Sequence, residues 1–87
     1  MDKYEKHIEI CKKLNKVYIN KNTAYGDAFS KSFKKRGIIT AFTRMEDKWN
    51  RFEALIEGAE NNTDESIKDT LEDLANYCIM TLIEMEN

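Results

Sequence analysis

The chain has 87 residues, one domain's worth, and a chain this size buries only about 60–65% of the surface its unfolded form exposes. Its 14 basic and 16 acidic residues leave a net charge of −2, which argues against non-specific nucleic-acid binding and against an electrostatic hold on membranes. No apolar run approaches the roughly 18 residues of a membrane span, and the opening MDKYEKHIEI is charged and amphipathic, unlike a signal peptide. The expectation is a cytoplasmic protein with no membrane partner.

Proline is absent, glycine occurs three times and 34% of residues are charged, a helical composition with no linker, low-complexity tract or internal repeat. Residues 1–87 therefore read as a single all-α domain. Cys11 and Cys78 both sit among apolar residues at helical spacing. With no CxxC or Cys/His pairing, and with His7 as the only histidine, they read as reduced core thiols and not as a disulfide or zinc site.

The first element is an amphipathic helix over about 2–21, in which Tyr4, Ile8, Cys11, Leu14 and Tyr18 recur at three- and four-residue steps. Asn20, Asn22 and Thr23 then weaken helix propensity, and Gly26–Asp27 marks a turn. Phe29 and Phe33, four apart, predict a short helix over about 27–35. Lys34, Lys35 and Arg36 followed by Gly37 have the form of a helix end.

A third helix is predicted from an N-cap at Thr40 to about Glu57. Its apolar stripe is Phe42, Met45, Trp49, Phe52 and Ile56. Thr63 caps a last helix over about 64–85, with Asp64 and Glu65 in its first turn. Ile67, Leu71, Leu74, Ala75, Cys78, Ile79 and Leu82 make one face of it, while Tyr77, Met80 and Ile83 make another. A helix apolar nearly all round is buried nearly all round. A chain this short has no second partner of its own for that helix, so the sequence predicts three main helices plus one short one, forming an antiparallel bundle completed by homo-oligomerisation. The side carrying Asp69, Asp73, Met80 and Ile83 is the one assigned to the neighbouring copy.

Two polar stripes are candidates for chemistry. On the third helix Arg44, Lys48 and Arg51 share one face, with Asp47 at its edge. On the last helix Glu65, Asp69 and Asp73 fall at i, i+4 and i+8, with Asn76 beside them. Carboxylates one turn apart can share a divalent cation, and guanidinium groups fit phosphate; equally, the acidic and basic stripes can satisfy each other as salt bridges. In AYGDAFSKSF the donors Tyr25, Ser30, Lys31 and Ser32 gather near a helix start, where backbone N–H groups attract anions; the same string also reads as a plain structural turn. No Ser/His/acid or Cys/His set for nucleophilic catalysis is present.

The segments YGDAFSKSF, GIITAFTRMEDKWNRFEAL and DESIKDTLEDLANYCIMTLIE resemble a phage and bacterial family, the nucleotide modification associated domain type one, over about residues 20–86. That family in turn resembles the MazG-like all-α nucleotide pyrophosphohydrolases, oligomeric bundles that hold magnesium with acidic residues on facing helices. The resemblance implies nucleotide binding by Tyr25, Gly26, Ser30, Lys31, Arg44, Lys48, Arg51, Asn76 and Tyr77. It implies a magnesium site at Asp69, Asp73 and Asp47. The string departs from the MazG-like E-x-x-E and E-x-x-D motifs: Trp49 stands three residues after Glu46, and Asp69 and Asp73 are four apart. Three readings follow: a phage-type protein that binds or sequesters a phosphorylated, modified or signalling nucleotide in the host cytoplasm; a magnesium-dependent pyrophosphohydrolase; and a non-catalytic helical interaction module. In the first, Tyr25, Phe29 or Tyr77 stacks on the base.

Overall fold

Four helices, α1 (Lys3–Ala24), α2 (Ala28–Arg36), α3 (Ile38–Ile56) and α4 (Asp64–Glu86), make up nearly all of residues 2–86, the part of the chain that the computed structural model describes. No strand occurs among the described residues, and no helix of theirs is long and apolar enough to cross a membrane. The all-α expectation holds, with three long helices and one short.

Local chemistry sets the ends. Asp2 caps α1 by accepting the Glu5 N–H at 2.8 Å. The helix then runs three residues past its expected end, through Asn20, Asn22 and Thr23, because propensity is a weak prior that tertiary contacts override; Lys21 in this stretch is tied to Asp73 of α4. Gly26 (φ 61°) and Asp27 (φ 59°), both left-handed, turn the chain into α2. Gly37 ends α2 at φ 72°, ψ −152°, a conformation that a β-carbon disfavours, and its N–H donates to the Phe33 carbonyl at 2.7 Å. The same glycine opens α3, which starts two residues ahead of Thr40. That threonine is not the N-cap; it is buried, and its hydroxyl donates to the Ser32 carbonyl at 3.2 Å, pinning α3 to α2. Thr63 does cap α4, accepting the Ser66 N–H at 3.1 Å.

The buried apolar core consists of Leu14, Phe29, Ala41 and Leu55. α3 and α4 lie side by side, α2 packs on α3, and α1 meets α4 near Leu14 and Asn76. Buried polar groups supply much of the remaining interior: Ser30, Thr40, Thr70, Asn76 and Thr81. The Asn76 amide donates to the Leu14 carbonyl at 3.1 Å, and Ser30 Oγ donates to Glu84 at 2.9 Å. Thr70 and Thr81 donate back to the carbonyls of Ser66 and Tyr77. No buried side-chain nitrogen or oxygen lacks a partner among the described residues, as a buried polar interior requires.

α4 is rotated from the sequence expectation: Ile67, Leu74 and Ala75 of the expected main face stay half-buried and Ile83 of the second face is exposed. Thr70, Asp73, Asn76, Tyr77, Met80, Thr81 and Glu84 face the rest of the chain, whereas Leu71, Cys78, Ile79 and Leu82 are exposed. The cause is hydrogen-bond satisfaction: Asp73, Asn76 and Glu84 all find partners on α1, α2 or α3, and those bonds fix the rotation of a helix whose apolar residues surround it. α3 is rolled likewise, so that Ala41 and Leu55 are buried while Phe42, Trp49 and Ile56 stay open. Cys11 and Cys78 are consequently exposed free thiols, not core thiols, since the apolar stripes that carry them are uncovered in the chain.

Leu55, 1% exposed, is the largest fully buried side chain. Leu55→Ala is expected to lower unfolding stability by about 2–4 kcal/mol, read as a lower urea midpoint at fixed protein concentration.

Candidate functional site

The C-terminal turns of α1, the start of α2, the middle of α3 and the inward face of α4 enclose a cavity of about 470 Å³, within the size range of small-ligand pockets. One part of its wall is ionic: Lys21 from α1, Arg44 and Lys48 from α3, and Asp73 from α4. The other part is aromatic and amide: Tyr18, Tyr25, Phe29, Tyr77, Asn22 and Asn76, with Ala28 and Met80. Phe29 is the anchor of this aromatic wall. It is 4% exposed, its ring lies 5.9 Å from Tyr77 and 6.2 Å from Phe33, and such tilted pairs stabilise beyond their area.

Asp73 organises the ionic part. Lys21 Nζ lies 2.7 Å from one carboxylate oxygen and Lys48 Nζ 3.0 Å from the other. Burial pushes the Asp73 carboxyl up, but the hydrogen bonds and charges of the two lysines outweigh it and hold the group below its ordinary value. Lys21 is raised in turn, chiefly by its hydrogen bond to Asp73. Arg44 has no carboxylate within salt-bridge reach among the described residues. Three cations against one carboxylate leave the cavity with a net charge of +2.

The sequence-predicted residues divide. Tyr25, Arg44, Lys48, Asp73, Asn76 and Tyr77 come together in this one cavity. Gly26 supplies the left-handed turn just before it, and Lys31 lies near that turn, exposed. The Ser30 hydroxyl is engaged by Glu84. Arg51, Asp47 and Asp69 are exposed and outside the cavity wall. The donor set does not fit a magnesium centre: both Asp73 oxygens face ammonium groups, and among the described residues no group of three or more His, Cys, Asp or Glu side chains could hold a metal. The acidic and basic stripes meet within one chain at Lys48 and Asp73, while Glu65 and Asp69 stay exposed.

Sequence reasoning missed Tyr18, Lys21, Asn22, Ala28 and Met80 as wall residues. For Lys21 a signal existed: it follows Leu14 and Tyr18 along the same helical stripe. A cation on a packing face calls for an anionic partner.

These features define a small all-helical domain with one cation- and aromatic-lined cavity built between its four helices. The profile of the family described as Nucleotide modification associated domain 1 matches residues 21–85, and the chain belongs to that family. No curated protein and no solved structure matches the chain.

The Asp73 ion pairs have a defined pH range. The folded carboxyl titrates below its unfolded value, so its contribution is present above about pH 4 and is lost as pH falls through the lowered value. Asp73→Asn is expected to lack this acid-limb loss. Subtracting its melting temperature from that of the wild type across pH should give a difference that is positive at neutral pH and shrinks on acidification.

Proposed function

We propose that the cavity binds a nucleotide or a nucleotide-like phosphate without transforming it. Arg44 carries the reading. A partly buried guanidinium with no carboxylate partner, placed beside Lys21 and Lys48 in a cavity of net +2, has the planar donors and the charge that a phosphate group takes. Lys21 and Lys48 add point charges; Asp73 holds both ammonium groups in place while the cavity is empty of anion, which lowers the cost of ordering them on binding.

The base lies against the opposite wall. Tyr25, 70% exposed at the mouth, and Tyr77, braced by Phe29, offer ring faces, and base–aromatic stacking is worth about 1–3 kcal/mol per base. Asn22 supplies an amide for polar edges, whereas the Asn76 amide already donates to the Leu14 carbonyl. Membership of a nucleotide-modification-associated family agrees with this ligand class. A setting in the cytoplasm of a phage-infected host fits a protein that sequesters a modified or signalling nucleotide.

A thermal-shift panel of nucleotides, with and without magnesium, tests the proposal. The expected outcome is stabilisation by at least one nucleotide that does not require magnesium, since a ligand selective for the native state raises stability by mass action. Arg44→Ala and Lys48→Ala are each expected to weaken that binding about tenfold or more, the cost of one charge-assisted hydrogen bond. Magnesium-dependent pyrophosphate release abolished by Asp73→Asn would establish the hydrolase reading instead. No shift with any nucleotide would leave the charged stripes as interhelical pairs of an interaction module.

A further inference from the structure

The charge of the cavity has a size as well as a sign. Lys21, Arg44 and Lys48 against Asp73 leave it at +2, and a single phosphate monoester carries about −1.5 to −2 at pH 7. One such group neutralises the wall. A second phosphate brings charge that the wall does not match, and an unmatched charge taken out of water is costly. Lys31 and Arg51 do not extend the cationic wall, since both are exposed and outside it.

The flanks of the cavity oppose a longer phosphate chain. The stripe of α4 that walls it carries a carboxylate past either end: Asp69 stands one turn before Asp73, and Glu84 one turn after Met80. Glu84 is half-buried and accepts the Ser30 hydroxyl at 2.9 Å, which holds it in place. Phosphates that outgrew the three cations would run toward like charge, and repulsion of that kind penalises the wrong ligand.

The aromatic faces stand close to the ion cluster. Tyr25, the C-cap of α1, lies one turn beyond Lys21, its N–H donating to the Lys21 carbonyl at 3.0 Å. Tyr77 lies one turn beyond Asp73 on α4. Each step is about 5–6 Å along a helix. A base joined to one phosphate through a single sugar spans such a step.

We infer that the cavity selects a nucleoside 5′-monophosphate, as the dianion, over the triphosphate and over the cyclic monophosphate, which carries a single charge. This ligand class rests on the nucleotide reading above and goes one step past it: the cation count sets the number of phosphates, and the carboxylates at either end of the wall enforce it.

Calorimetric titration of the purified chain at neutral pH tests the selection, without magnesium to mask phosphate charge. The probes are the 5′-monophosphate, the triphosphate and the 3′,5′-cyclic monophosphate of each common ribonucleoside and deoxyribonucleoside. At least one 5′-monophosphate should bind about tenfold tighter than its triphosphate and its cyclic form. A triphosphate or cyclic form bound as tightly as the monophosphate, or more so, overturns the inference and leaves the nucleotide reading standing. Failure of every probe to bind overturns both. Tyr25 is exposed, so cutting it back spares the core. Tyr25→Ala should weaken the monophosphate about fivefold or more, and Tyr25→Phe should keep it. Unchanged affinity in Tyr25→Ala overturns the spacing of base and phosphate, and the inference with it.

Discussion

The Asp73 carboxylate, held at one oxygen by Lys21 and at the other by Lys48, is the interaction on which the arrangement depends. It ties α1 and α3 to the same point of α4, three helices through one side chain. A half-buried carboxylate is costly unless paired, so once α4 presents Asp73 inward, both lysines are drawn to it. The nearby Asn76-to-Leu14 bond and the Ser30-to-Glu84 bond act in the same sense. Together they fix the rotation of α4 with a polar inner face and an apolar outer one.

That rotation explains the site. With four buried apolar residues in the core, hydrophobic burial alone does not choose one packing among several. Directional polar bonds do, because an unpaired buried polar group costs more than a misplaced methyl. The same bonds leave a space between the helices that side chains do not fill, and its wall holds Arg44, a cation beyond the two that Asp73 neutralises. Structural ion pairing and a capacity for anions thus arise from one cluster.

The sequence made the helices and most of their limits legible, since caps and turns are local: Thr63, the Gly26–Asp27 corner and the Gly37 stop are each readable from a few neighbours. It misplaced the start of α3 because Thr40 has both a cap-like identity and a distant acceptor in Ser32. Six of the sequence-predicted site residues do converge, among them Arg44, Lys48 and Asp73. What periodicity could not supply was the rotation of α4. Thr70 and Thr81 point in while their neighbours Leu71 and Leu82 point out, and hydropathy ranks those pairs the other way. The deciding partners, Lys21 and the Leu14 carbonyl, lie 52 and 62 residues away along the chain.

The rotation of α4 also explains its two faces of opposite character. Its inner face, from Asp73 to Met80, walls the cavity, while Leu71, Cys78, Ile79 and Leu82 stay exposed. The bonds that draw Asp73, Asn76 and Glu84 toward α1, α2 and α3 turn that apolar stripe outward, so the polar cavity wall and the exposed stripe are two results of one rotation.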